Sequence, residues 1–245
     1  MRIPRIFTGQ ALAAGEELAL ESGPSQHLAR VLRMGQGEEL FLFDGSGVEY
    51  RARIVAADKR QVTVALLEAV PGLTESPLRI HLGIGISRGE RMDWVVQKAT
   101  ELGVAGISPL YTERTEVRLR GEREERKRQH WRQVMVSACE QCGRSVTPAV
   151  HEPVALAQWL DHADGERRYV LHHRATAAPG AADFPASVSL LVGPEGGLSE
   201  AEIAAAEAAG FASLALGPRV LRTETAPLAA LAILQARWGD MNSLG

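Results

Sequence analysis

Leu190-Leu-Val-Gly-Pro-Glu-Gly-Gly-Leu198 and Leu216-Gly-Pro-Arg-Val-Leu-Arg-Thr-Glu-Thr-Ala-Pro227 share one layout: an apolar run, a glycine-proline turn, then the start of a helical stretch. In an open α/β sheet, ligands bind at the strand ends, where backbone amides and helix N-termini converge. Two such loops separated by one helix can lie side by side as a single cradle. Ser199 followed by Glu202 forms a capping box, so a helix begins directly after Leu198. Thr225 can cap the next helix, and Pro227 suits its first turn. Both loops therefore offer free N–H groups to the carboxylate, hydroxyls or ring nitrogens of a small molecule. Pro194 and Pro218 stiffen them, which reduces the entropy lost on binding. Taken singly, each loop is equally well explained as a tight turn. A phosphate-binding P-loop is excluded, because no Gly-Lys-Ser/Thr follows the glycines.

The surrounding pattern sets these loops in an α/β domain. Strand-like runs at 78–86, 106–110, 168–171, 188–192 and 212–216 alternate with helical runs at 92–102, 122–141, 154–160, 199–209 and 225–238. That alternation predicts a mostly parallel sheet covered by helices. The first 70 residues read differently. Short strands at 3–7, 17–20, 39–43, 49–55 and 61–67 are broken by turn formers at 44–47 and 58–60, with one helix at 25–33, which predicts a small β-barrel. Turn formers at both ends of 71–77 mark a linker, so the domains are placed at 1–72 and 73–245. The Ala-rich stretch 175–185, with its Pro and Gly, reads as a mobile loop.

Two motifs point elsewhere and fail on spacing. Gly83-Ile-Gly85-Ile-Ser-Arg-Gly89 follows a strand and precedes a helix, as a dinucleotide fingerprint would, but its third glycine is one residue too far on. A nicotinamide-dependent dehydrogenase would require that site. Cys139 and Cys142 form a C-x-x-C pair inside a helical run with no second pair to complete a zinc site, so they read as partly buried helix cysteines and no metal is expected.

Composition bounds the rest. Hydrophobic residues at 45% and charged residues at 23% describe a globular chain rather than a disordered one. No apolar run approaches the roughly 20 residues of a membrane span, and the N-terminus has no apolar signal region. A cytoplasmic protein with no membrane partner is the expectation. The net charge of −3 gives no bulk attraction to polyanions. Between 112 and 144, however, nine Lys or Arg face six acids, which is either a mixed solvated helix face or part of a nucleic-acid surface.

Met1-Arg-Ile-Pro-Arg-Ile-Phe7, His27-Leu-Ala-Arg-Val-Leu-Arg33, Leu42-Phe-Asp-Gly45, Ser87-Arg-Gly-Glu-Arg-Met92, Gln97-Lys-Ala-Thr-Glu-Leu-Gly103, Ala138-Cys-Glu-Gln-Cys-Gly-Arg144 and the two C-terminal loops together resemble the RsmE family of SPOUT RNA methyltransferases. The resemblance extends over nearly the whole chain. It implies a PUA-like N-terminal β-barrel domain and a C-terminal SPOUT α/β domain containing a deep trefoil knot. It further implies a homodimer and S-adenosylmethionine as the donor that methylates N3 of a uridine in 16S rRNA of the small ribosomal subunit. Carried over by position, the cofactor pocket comprises Leu171, His172, Val192, Gly193, Glu195, Gly196, Leu216, Gly217, Val220, Leu221, Arg222, Thr223, Thr225 and Ala226.

Uracil N3 carries a proton, so catalysis needs an acceptor for it or a cation beside the ring oxygens. Arg222 is the first choice for charge stabilisation, with a structural ion pair to Glu195 or Glu224 as its alternative. Glu195 is the second catalytic candidate, as an orienting carboxylate. Arg2, Arg5, Arg30, Arg33, Arg88 and Arg144 are the expected RNA phosphate contacts. The helix at 225–238 carries Leu228, Leu231, Ile233, Leu234 and Trp238 around much of its circumference, which suits a dimer interface. Other readings are a non-catalytic RNA-binding or ribosome-assembly protein, and a SPOUT methyltransferase acting on a different RNA.

Overall fold

A computed structural model describes residues 3–58, 60–172 and 184–241. The chain divides into two units, Met1–Glu75 with Val136–Thr147, and Ser76–Met135 with Pro148–Gly245. Most of the loop expected at 175–185 lies outside the described residues, as does Arg2.

In the first unit, β1 (Arg5–Phe7), β2 (Glu17–Ala19), β3 (Glu39–Phe43), β4 (Val48–Ala57) and β5 (Val62–Pro71) form one sheet in the order β1-β3-β4-β5-β2. All neighbours are antiparallel except β1 and β3. Period-two alternation sends Val62, Val64 and Leu66 to one face, where they pack with Leu40, Leu42, Ala52, Ile54 and Leu28. The β4–β5 turn closes where Asp58 N donates to Gln61 O at 3.0 Å and Asp58 Oδ1 accepts from Arg60 N and Gln61 N.

The helix expected at 25–33 is two pieces: α1 (Ser22–Gln26) runs into a π-helical turn, His27–Leu32, which ends at Arg33 with φ 56°. Leu28 and Met34 lie in the core and Met34 N donates to Leu28 O at 3.0 Å, while Val31 stays 68% exposed.

The end of α3 (Glu122–Cys142) and the turn after it belong to this unit. Glu140 accepts from Phe7 N at 3.0 Å, and burial pushes its carboxyl above the usual carboxylate value. Arg5 is ion-paired with buried Glu49 and donates to Arg144 O at 3.2 Å. Arg144, itself buried, makes a two-point bond to Glu75, with Nε at 3.1 Å from Oε1. Cys139 is buried and Cys142 half-buried, neither in a disulfide, and burial pushes the Cys139 thiol up to about 12.

The second unit is the predicted α/β domain. Its strands are β6 (Arg79–Gly85), β7 (Val104–Tyr111), β8 (Ala149–Val150), β9 (Val154–Ala155), β10 (Arg167–Leu171), β11 (Ser187–Val192) and β12 (Ala212–Leu214). They pair in parallel in the order β12-β10-β11-β6-β7-β8, with β9 against the far end of β7. The helices are α2 (Arg91–Glu101), the first part of α3, α4 (Leu156–His162), α5 (Glu200–Ala208) and α6 (Ala226–Trp238).

Three expectations shift here. Val154 and Ala155 are strand, because Leu110 and Tyr111 of β7 offer them a parallel partner, so the helix starts at Leu156. β12 stops at Leu214, which leaves Leu216 in the loop. Thr225 stands at the N-cap of α6 but makes no side-chain cap bond. Its own N–H and that of Ala226 already reach Arg222 O at 2.9 Å, so the backbone satisfies the helix start.

The glycines of the failed dinucleotide motif have a packing role. A Cβ on Gly83 would lie 2.6 Å from the Trp159 ring, and one on Gly85 would lie 2.5 Å from Pro194 N. α6 packs against α2, and its circumference is not uniformly apolar. Gln235 is fully buried, accepting from Ser76 Oγ at 2.6 Å and donating to Gly103 O at 3.3 Å. Near the N-terminal ends of the strands, His81 stacks on His151 with ring centroids 5.0 Å apart, and its Nε2 lies 2.9 Å from Ser108 Oγ. Burial, with help from His151, pushes His81 down to about 4. Among the described residues no helix is long and apolar enough to cross a membrane.

Candidate functional site

β10 and β11 are adjacent, so their C-terminal ends bring His172 and Gly193 to the same edge of the sheet. The first glycine loop leaves β11 there and curls tightly, with Gly197 N donating to Pro194 O at 2.8 Å. Only glycine fits at 193, because a Cβ would sit 2.8 Å from Gly197 C and Leu198 N. The capping box then starts α5: Glu202 N donates to Ser199 Oγ at 3.2 Å, and Ser199 N to Glu202 Oε2 at 2.9 Å. The second loop leaves β12 and turns at Gly217, whose φ of 96° lies in the left-handed region. The loops meet where Thr223 Oγ1 donates to Gly193 O at 3.0 Å.

Between them lies a cavity of about 600 Å³, a size usual for small-molecule sites. Every residue carried over from the resemblance lines it except Thr225. Leu171, Ile203, Leu214, Leu216 and Leu221 supply apolar wall, while Val220 stands at the rim, 76% exposed. His172 adds a directed polar group. Ser213 Oγ donates to Glu207 Oε1 at 2.5 Å, so it accepts from His172 Nε2–H at 2.9 Å. Among the described residues the buried His172 Nδ1 has no hydrogen-bond partner.

Charges at the mouth are sorted in a way the residue pattern did not predict. Glu195 Oε1 accepts from Arg88 N at 2.8 Å and from Arg91 Nη1 at 3.1 Å. Burial pushes this carboxyl up, but the two backbone N–H groups and the Arg91 guanidinium outweigh it and hold it below the usual value. Arg91 Nε also lies 3.8 Å from Glu224 Oε2. Arg222 is exposed and has no ion pair among the described residues, so Arg91 takes the place that the ion-pair alternative gave to Arg222. Glu195 is correspondingly engaged by the protein itself rather than facing the cavity as an unpaired carboxylate. Arg114 donates to Gly196 O at 2.8 Å. Neither Arg91 nor Arg114 was singled out from sequence. Arg91 does lie in the quoted 87–92 segment, but nothing local to it announces partners more than a hundred residues away.

The six arginines expected to meet RNA part company. Arg30 and Arg33 are exposed on the π-helical turn, and Arg88 is exposed and paired with Glu116. Arg5 and Arg144 are not surface cations. Their side chains are 11% and 5% exposed and are used on Glu49 and Glu75, because burying either guanidinium without a carboxylate would be costly. Arg2 lies outside the described residues.

Comparison with known proteins agrees with this geometry. The family described as RNA methyltransferase domain matches residues 74–235, and that described as RNA methyltransferase PUA domain matches residues 25–67. The ribosomal RNA small subunit methyltransferase E of Buchnera aphidicola subsp. Schizaphis graminum is 33% identical to this chain, over 98% of this chain and 99% of its own length. A Legionella pneumophila protein assigned as a methyltransferase, solved with bound cofactor SAM, is 43% identical with a TM-score of 0.95, over 98% of this chain and 100% of its own. The ribosomal RNA small subunit methyltransferase E of Neisseria gonorrhoeae, bound to S-adenosyl methionine, is 36% identical with a TM-score of 0.91, over 98% of this chain and 99% of its own.

Proposed function

The chain belongs to the ribosomal RNA small subunit methyltransferase E family, and from that premise we propose that it transfers a methyl group from S-adenosylmethionine to N3 of a uridine in 16S rRNA. The observation that carries this reading is the cavity between the two glycine loops, lined by all the carried-over cofactor residues but Thr225. Its chemistry fits the donor. Leucine and isoleucine walls suit an adenine ring, exposed loop amides suit carboxylate and ring nitrogens, and the half-buried His172 ring suits a ribose hydroxyl.

When bound, S-adenosylmethionine supplies an electrophilic sulfonium methyl group. The protein's part is to hold the target uracil in line with it and to stabilise the charge that develops on the ring oxygens as N3 gives its proton to solvent water. Arg222, exposed on the cavity lining and without an ion pair among the described residues, is assigned that charge. Glu195 holds the first loop through Arg88 N and Arg91. Arg30, Arg33 and Arg88 contact RNA phosphates, with the PUA-like domain as the main RNA holder.

The reading includes a homodimer, supported by Trp94 of α2 and Ile233 of α6, which are 51% and 43% exposed on two helices that pack together. It also includes the trefoil knot. α6, which follows the edge strand β12, packs against α2, the helix that follows β6, and the knot itself is what membership of the family implies. A 16S rRNA substrate puts the site of action in the cytoplasm.

Small subunits from a strain lacking the enzyme, incubated with the protein and labelled S-adenosylmethionine, should yield label in N3-methyluridine on nucleoside mass analysis. Label in another nucleoside moves the target, and no binding of S-adenosylmethionine by titration rejects the enzyme in favour of an RNA-binding protein.

A further inference from the structure

The segment from Ser87 to Arg91, between β6 and α2, touches both glycine loops. Ser87 Oγ lies 3.4 Å from Thr223 Oγ1 in the second loop, and Arg88 N donates to Glu195 in the first. Arg91, the first residue of α2, reaches both: Nη1 is 3.1 Å from Glu195, and Nε is 3.8 Å from Glu224. A guanidinium is a rigid fork with five donors and can serve two carboxylates in fixed directions, whereas an ammonium is a single point charge on a flexible stem. Glu195 and Glu224 line the same cavity as Arg222, and both lie against Arg91.

We propose that Arg91 is a positioning residue with two effects: it sets the spacing of the two glycine loops, and it keeps Glu195 and Glu224 away from Arg222 so that the latter stays open to substrate. The first effect is a property of the ligand-free protein. The second, together with its consequence for cofactor affinity, rests on the proposed S-adenosylmethionine site.

Hydrogen exchange on the ligand-free full chain tests the first effect. Arg91→Met should speed amide exchange in both 193–198 and 219–226, while Glu195→Gln should speed it mainly in the first loop and Glu224→Gln mainly in the second. Exchange altered in one loop only, or in neither, overturns the clamp.

Titration calorimetry and single-turnover methylation test the second effect. Two partly exposed ion pairs acting together are worth about tenfold in affinity, so Arg91→Met should raise the Kd for S-adenosylmethionine by about that factor, with Arg91→Lys in between. Turnover should fall as well, and adding Glu224→Gln to Arg91→Met should restore part of it by freeing Arg222. A merely structural arginine would show no such rescue. A Kd within twofold of wild type, or a double variant slower than the single one, overturns the proposal. If wild type does not bind S-adenosylmethionine but both loops loosen in Arg91→Met, the cofactor reading fails and the clamp stands. If Arg91→Met does not fold, Arg91→Lys carries the same comparisons.

Discussion

Gly85→Ala tests whether the first glycine loop is held in place from below. Gly85 is the buried last residue of β6, paired with Leu110 of β7, and its Cα faces Pro194. An added Cβ would lie 2.5 Å from Pro194 N and 3.0 Å from Pro194 Cβ. Favourable contacts of this kind begin at about 3.5 Å, so the shortfall is about 1 Å. No side chain can rotate to absorb it, since the proline ring is fixed to its own backbone and Gly85 is fixed in the ladder. Either β6 or the loop must move. The sheet is the stiffer partner, so the loop carries most of the shift, taking the Gly193 and Gly197 amides away from the second loop. Overpacking of this kind costs about 1–3 kcal/mol, which for a chain of this size is a fall in Tm of roughly 2–12 °C. A displacement of about 1 Å at a reacting centre costs about a hundredfold in rate, and the Kd for S-adenosylmethionine should rise at least tenfold. Gly15→Ala is the control. Its φ of 88° makes alanine strained, by roughly 1–2 kcal/mol, but nothing lies within 4 Å of the new Cβ. It should lower Tm and leave the Kd unchanged. A Gly85→Ala protein that loses stability but binds S-adenosylmethionine within twofold of wild type would refute the reasoning.

Removing the rim cation with Arg222→Ala should lower the single-turnover rate by about a hundred- to a thousandfold and change the Kd for S-adenosylmethionine by less than about threefold; equal losses in both would make Arg222 a cofactor residue instead. Arg5→Met should cost about 3–5 kcal/mol in urea unfolding by orphaning Glu49, whose side chain is 7% exposed, and Glu49→Leu added to it should recover much of that; weakened RNA binding at full stability would mean that Arg5 meets phosphate after all. His81, near 4 when folded against about 6.5 unfolded, makes the unfolded chain the better proton acceptor between those values. Stability should therefore be fully present above about pH 6.5 and decline as pH falls towards 4, by at most about 3 kcal/mol; His81→Leu should flatten that slope, and an unchanged slope would remove His81 from the cause.

The α/β alternation was legible because burial on both faces of a parallel strand leaves apolar runs such as 190–192. The places where it misled are those where tertiary contacts override local preference. Val154 and Ala155 carry no strand signal of their own and are extended because β7 is there to pair with them. The His27–Leu32 stretch has a helical composition, yet it closes as a π-helical turn that Arg33 ends in the left-handed region, with Leu28 and Met34 both in the core. The assignment of 136–147 to the first unit could not be seen from periodicity at all. The ties are long-range: Arg144 pairs with Glu75, Arg5 donates to Arg144 O, and Phe7 N donates to Glu140.

At the site, the backbone was legible and the charges were not. Glycines 193 and 217 announce turns because few other residues could stand there, and Ser199 with Glu202 announces a helix start because the bond pattern is local. An arginine announces nothing about its partner. Arg5, Arg144, Arg91 and Arg222 look alike in the chain, and only the fold decides that the first two are buried ties, that the third lies against two carboxylates and that the fourth is exposed on the cavity lining. Motif spacing separates the glycines in the same way. Gly83 and Gly85 imitate a nucleotide loop but are bare because Trp159 and Pro194 occupy the space of a side chain. The imitation and the true cradle are therefore physically linked, since the missing side chain at 85 is what lets Pro194 settle against β6 and hold the first loop at the edge of the cavity.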